Sequence, residues 1–192
     1  MQRHGAVGVA RTLCLRTLVL IAGVFAGALA TSGVCAQSAK PLPKPVIERA
    51  PGIRQLGRGR HTWWGVHMYD ATLWVVGPQF APSEPHALDL EPGNSASSET
   101  LVKSAIDEMR RQKVGDDRKL RAWANEMKQV IPGVKRGDQV VIFCPGDNET
   151  LVYFNGAQRG VVDDPTLCPA IMNVWLHPST RHQHVRKGLL GE

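Results

Sequence analysis

The chain has 192 residues and a formal net charge of +6, from 23 basic and 17 acidic side chains. That length suits one domain with a real hydrophobic core. The charge is not the footprint of a nucleic-acid binder, because no basic run is interleaved with aromatic residues.

The first 36 residues read as an export signal rather than as fold. Arg3, Arg11 and Arg16 form a basic start without an acid, Leu18 to Ala30 is apolar, and Val34-Cys35-Ala36 is a small-residue cleavage signal. Cleavage after Ala36 leaves 192 − 36 = 156 residues, and losing three arginines lowers the charge from +6 to +3. The expected location is periplasmic or secreted. A single membrane span is the weaker alternative, since it needs roughly 20 apolar residues and this run is shorter. A lipid anchor on Cys35 is weaker still, with bulky Val34 before it. After cleavage no membrane span is expected.

Residues 37–52 carry Pro41, Pro43, Pro45 and Pro51. Alternating prolines favour an extended, unpaired chain, so this stretch reads as a leader arm. The domain proper is expected over residues 53–192.

Arg60 to Val76 is the most informative stretch, holding three of the five tryptophans and one of the two tyrosines. It reads as one long strand, or as a strand pair kinked at Gly65. Alternation would put His61, Trp63, His67, Tyr69, Ala71 and Leu73 on one face. Thr62, Trp64, Val66, Met68, Asp70, Thr72 and Trp74 would take the other, starting as core. The first set mixes aromatic area with polar tips, as a buried strand or a pocket wall would.

His86 to Glu91 alternates like a short strand. Ser98 opens a helix to about Gln112, with Leu101, Val102, Ala105, Ile106 and Met109 as its apolar stripe. Asp116 or Asp117 caps a second helix, whose stripe is Leu120, Trp123, Met127 and Val130. Gln139–Cys144, Thr150–Phe154 and Ala157–Val162 read as an antiparallel meander, with Asn155-Gly156 as a tight hairpin turn. Asp164-Pro165 reads as a helix start. Ser179 is expected to cap a last short helix, with His182 and His184 in a solvated basic tail. Helices segregated beside an antiparallel sheet give an α+β fold.

No motif for covalent or metal chemistry stands out, so no catalytic residue, metal or cofactor is expected. Cys144 and Cys168 are the two cysteines left after cleavage. In an oxidising compartment they are expected to form a disulfide, with buried free thiols as the alternative. Neither sits in a C-x-x-C, which argues against a metal. What remains is a concave site. Arg58 or Arg60 offers a fork of donors for an acidic head, and Tyr69 offers a hydroxyl. Trp63 supplies an apolar wall, and His67 lies beside Tyr69.

The runs LGRGRHTWWGVHMYDATLWV, DEMRRQ and LVYFNGAQRGVVDDPTLCPAIMNVWLHPST together resemble the bacterial chalcone isomerase-like family, from about Gln55 to Leu189. The most specific parts are Gly65 to Trp74, Phe154-Asn155-Gly156, Gly160, Asp164-Pro165, Trp175-Leu176 and Pro178. The resemblance implies an open-faced β-sandwich, with an antiparallel sheet covered by helices on one side and a ligand cleft between. In that fold plant chalcone isomerases close a chalcone into a flavanone without a cofactor, and related fatty-acid binders hold a carboxylate with arginine and tyrosine. Arg58 and Arg60 compete for the arginine slot. Tyr69 falls where the isomerases carry a threonine and the fatty-acid binders a tyrosine. A further isomerase tyrosine has no counterpart between Tyr69 and Tyr153. The expectation is a secreted, non-catalytic binding protein for an amphipathic or acidic small molecule, fatty-acid-like. The alternative is a cofactor-independent isomerase, an intramolecular lyase acting on a chalcone-like or unknown substrate.

Overall fold

The computed structural model describes residues 39–192; the expected export signal lies outside them. Its centre is a six-stranded antiparallel sheet whose strands lie side by side in chain order. These are β1 (Arg54–Trp63), β2 (Val66–Val75), β3 (His86–Pro92), β4 (Val140–Cys144), β5 (Glu149–Phe154) and β6 (Ala157–Asp163). The helices are α1 (Lys44–Arg49), α2 (Ser98–Arg111), α3 (Asp117–Val130), α4 (Leu167–Leu176) and α5 (Gln183–Leu190). No helix among the described residues is long and apolar enough to cross a membrane.

Helices α2 and α3 form where the sequence predicts them, with the first cap at Ser97, one residue earlier than the expected Ser98. The Ser97 hydroxyl accepts from the Thr100 amide at 3.1 Å, and the Asp116 carboxylate from the Lys119 amide at 2.7 Å. Each cap satisfies an amide that the helix leaves unpaired. Val102, Ala105, Ile106 and Met109 of α2 join Leu120, Trp123, Met127 and Val130 of α3 against one face of the sheet. That face presents Ala71, Leu73, Leu88, Val140, Ile142 and Val152.

The opposite face is covered in part by the segment expected to be an extended arm. Leu42, Val46 and Ala50 are buried against Ala87, Val141, Phe143, Leu151 and Tyr153. The prolines start a helix rather than prevent one, because Pro45 stands in the first turn, where its missing amide costs nothing. The segment is tied down across the chain. Lys40 donates to the Gly137 carbonyl at 2.5 Å, and Arg49 to Asp147 and Glu149 at 2.8 and 2.9 Å.

Two further expectations change. Asp164 does not cap α4, whose N-cap is Thr166 without a side-chain bond. Its Oδ1 accepts from the Thr166 amide at 2.9 Å in the turn before the helix, while Oδ2 accepts from Lys119 Nζ at 2.6 Å and Trp123 Nε1 at 3.0 Å, which fastens that turn onto α3. The tail is not solvated either, since Val185 and Leu189 of α5 are core residues. Helix α5 begins after His182, and Ser179 hydrogen-bonds His177 rather than capping it. The helix lies so close to β1 that a Cβ on Gly57 would stand 2.2 Å from the Gly188 carbonyl oxygen, and one on Gly59 2.6 Å from that of Val185. Only glycine permits this approach.

The Cys144–Cys168 disulfide joins β4 to α4, with Cα atoms 6.1 Å apart. In the chain-entropy model such a loop contributes about 3 kcal/mol.

Candidate ligand-binding site

The aromatic stretch is a hairpin. Trp64 and Gly65 take positive φ values of 49° and 75°, the pairing a two-residue turn needs to match strand twist. The turn puts its indoles in solvent. Trp63 is 64% exposed and Trp64 89%, and Val66 is 51% exposed rather than core. Trp63 is therefore not a wall of any pocket.

A bulge next to the turn decides everything else about the hairpin. Thr62 pairs with His67 and His61 with Tyr69, so Met68 is an extra residue on β2. One inserted residue reverses the alternation on its own strand. His67 consequently shares a face with Asp70, not with Tyr69, and its Nε2 lies 3.3 Å from Asp70 Oδ2.

Both arginines are on that same face. Arg60 grips Asp70 with two bonds, Nε to Oδ1 at 2.7 Å and Nη2 to Oδ2 at 3.1 Å. Arg58 Nη2 lies 3.4 Å from Asp70 Oδ2 and 3.1 Å from Glu91 Oε1. Burial works to raise the Asp70 carboxyl, but Arg60, Arg58 and His67 outweigh it and hold it below its ordinary value. This is an ion network whose charges are matched by protein groups, although His67 Nε2 makes no hydrogen bond in it. Its guanidinium donors are engaged by protein carboxylates, and it lies across the sheet from Tyr69.

The helix-facing side carries a different group. Tyr69 Oη accepts from Trp175 Nε1 of α4 at 3.0 Å. Burial pushes the phenol up to about 12, so it stays protonated and keeps its own O–H to donate. The ring of His61 lies 5.0 Å from that of Tyr69, and the ring of His182 stands edge-on to His61 at 4.7 Å. Both imidazoles are pushed below their ordinary pKa, chiefly by burial, with mutual repulsion added at His182. His182 Nδ1 is buried with no hydrogen-bond partner, and such an atom calls for an explanation.

Glu108 of α2 fixes the approach to His182. Its carboxylate accepts from the Arg181 amide at 3.2 Å, from Arg111 Nε at 3.0 Å and from Gln112 Nε2 at 3.0 Å. Burial would raise it, yet these donors hold it down to about 2. Deeper in, the space between sheet and helices is filled. Leu73, Leu88, Met109, Leu120, Met127, Ile142, Leu167 and Ile171 are all under 2% exposed, or at that limit.

Of the five residues expected to meet a ligand, then, Tyr69 alone faces the helices. Arg58, Arg60 and His67 lie on the other face, and Trp63 is at the hairpin tip. His61, Trp175 and His182 were missed. The alternation does place His61 beside Tyr69. Trp175 and His182 come from the far end of the chain and carry no local signal.

The family model for chalcone isomerase-like proteins matches residues 66–191. The chain belongs to the chalcone isomerase-like family. Among solved structures, this family member is similar to a fatty-acid binding protein of Arabidopsis thaliana, with a TM-score of 0.55 at 14% identity. The match covers 73% of this chain and 87% of that one. It establishes the shared α+β architecture of an open antiparallel sheet with helices. No curated protein matches the sequence. On its helix-facing side β1 of this chalcone isomerase-like chain presents Gly57, Gly59 and His61, opposite Leu73, Ala71 and Tyr69.

Proposed function

We propose that this protein is an exported, non-catalytic carrier of an amphipathic acid, whose head is held at the seam where Tyr69, His61, Trp175 and His182 meet. The observation that carries this reading is the unpartnered ring nitrogen of His182 beside a phenol that still has a proton to give. A carboxylate there would accept from the Tyr69 hydroxyl, and also from the Trp175 indole once that donor leaves the phenol. The solved structure of similar fold is named as a fatty-acid binding protein, which supports a fatty-acid-like ligand. The apolar tail would lie along the partly buried edge of the core that Leu56, Leu90, Trp175 and Leu190 form. The filled interior means that α5 and Trp175 shift to admit it.

Neutral imidazoles give this site a proton-linked affinity. Both start below their ordinary pKa, and a bound anion raises them. Binding therefore takes up protons, and affinity strengthens as pH falls from 8 towards 6. Native mass spectrometry of protein purified from the periplasm tests the carrier directly. A co-purifying lipid is expected, and calorimetry with a long-chain fatty acid should show proton uptake. An apo mass throughout, with no heat of binding, rejects the proposal.

The isomerase alternative predicts ring closure of a chalcone, abolished by Tyr69→Phe. The seam offers one hydroxyl, and the guanidiniums nearest it, Arg111 and Arg181, are already paired with Glu108 rather than free to meet the charge that develops in such a step. No cyclisation above the rate in buffer is expected.

A further inference from the structure

The sequence places His86, Cys144 and Cys168 far apart, and the fold brings them to one point. His86 opens β3 and pairs directly with Cys144, the last residue of β4. Cys168 is the second residue of α4, which lies over that corner of the sheet. The ring nitrogen of His86 and the two sulfurs all lie within 4.8 Å of one another, and all three residues are buried.

The histidine is oriented as a ligand. Its Nδ1 lies 2.7 Å from the Glu84 carbonyl oxygen, which can only accept, so Nδ1 carries the proton. The lone pair of Nε2 is thereby aimed at Cys168 Sγ, 3.8 Å away. Burial lowers the imidazole pKa and keeps it neutral. A backbone carbonyl fixing one nitrogen so that the other can bind is the usual outer support of a metal-bound histidine. Phe80 packs edge-on against the ring at 5.0 Å and holds it in place. A disulfide has no proton to offer that lone pair. In the oxidised protein Nε2 is a buried acceptor with no donor on the sulfur it faces.

We propose that, once the bridge is reduced, His86 Nε2 and the Cys144 and Cys168 thiolates form a site for one thiophilic d10 cation, Zn(II) or Cu(I). An ion bonded at roughly 2.0–2.3 Å keeps its ligand atoms roughly 3.5–4 Å apart. The Nε2–Sγ distance already falls in that range, and breaking the S–S bond lets the second sulfur reach it. Soft thiolate ligands select these ions. Two thiolates and a neutral imidazole cancel the charge of Zn(II), which suits a buried site. The redox step needs an external dithiol protein. The S–S bond breaks, the donor's two thiols become its own disulfide, and two electrons and two protons pass to the Cys144 and Cys168 sulfurs. The incoming cation then displaces both protons to solvent.

The test uses the mature protein, oxidised or reduced under argon with a phosphine that is then removed. Zn(II), and separately Cu(I), is titrated against a chromophoric chelator. About one equivalent of one of the two ions should bind the reduced form, and none the oxidised form. His86→Gln should weaken binding at least about a hundredfold, and Cys144→Ser/Cys168→Ser should abolish it. X-ray absorption on the loaded wild type should show two sulfurs and a nitrogen around the ion, so the answer stands even if a variant does not fold. The proposal is overturned by a reduced protein that takes up neither ion, by a double variant that binds as well as wild type, or by a shell without sulfur.

Discussion

Tyr69 and Asp70 are neighbours on β2, yet they belong to opposite kinds of surface. Asp70 lies in a network where guanidinium forks meet carboxylates at hydrogen-bond distance. Tyr69 lies beside a buried nitrogen with no partner. The first arrangement has its charges matched within the protein, although His67 Nε2 there also lacks a hydrogen bond; the second has an unpartnered nitrogen beside a hydroxyl and no carboxylate to match it. An ion cluster with its charges already matched is a structural device, even when it holds the arginines that a search for an acid-binding site would choose. The incomplete group, with fewer charges, is the better candidate for recognition.

The strongest way to break this contrast is Asp70→Ala. It should cost about 2 kcal/mol of stability, because Arg60 loses its bidentate partner and Arg58 keeps only Glu91. Urea unfolding would measure the loss, while lipid retention should be unchanged; a ligand lost with stability intact would reverse the roles of the two faces. Asp89 sharpens the point from within the charged face. Burial pushes its carboxyl up to about 7, against the partial relief of a 2.9 Å bond from Gln139. A raised folded-state pKa makes stability greatest below the unfolded value and drains it as pH rises towards 7. Asp89→Asn removes that loss and should stabilise the protein by about 2 kcal/mol at pH 8, with little effect at pH 4. Thermal unfolding at the two pH values checks it. Tyr69→Phe should cost about 1 kcal/mol, the price of an indole N–H without its acceptor, but should reduce fatty-acid affinity about tenfold by calorimetry. Trp64→Ser at the exposed turn should change neither quantity, with a stability shift within about 0.5 kcal/mol.

Much of the architecture was legible. Caps and stripes gave α2 and α3, and the Asn155-Gly156 turn gave the last hairpin. Both turn residues take positive φ, 50° and 85°. Trp64 does the same in the first hairpin, but a tryptophan there is no turn signal, so one long strand and a pair kinked at Gly65 both stayed open, and the structure shows the pair. Helix α1 hid behind its prolines, although Leu42, Val46 and Ala50 stand four apart as a helix requires. The errors in the site have separate causes. Strict alternation already sets Arg58 and Arg60 with Asp70, so joining them to Tyr69 runs against the pleat, whereas Trp63 is displaced by the turn and His67 by the bulge. In a hairpin without a bulge, Arg60 would stand opposite Tyr69. The extra residue at Met68 moves Arg60 one step, opposite Asp70. A slip of one position exchanges faces, and nothing local in the sequence announces it.

The glycines of β1 carry one more consequence. Where Gly57 and Gly59 meet α5, the strand has no side chains of its own to bury, so its cover must come from Val185, Gly188 and Leu189 at the other end of the described chain. Closing so long a loop is slow and comes late. A ribosome makes the hairpin well before it makes α5, so the glycine strand stays uncovered until that last helix is available.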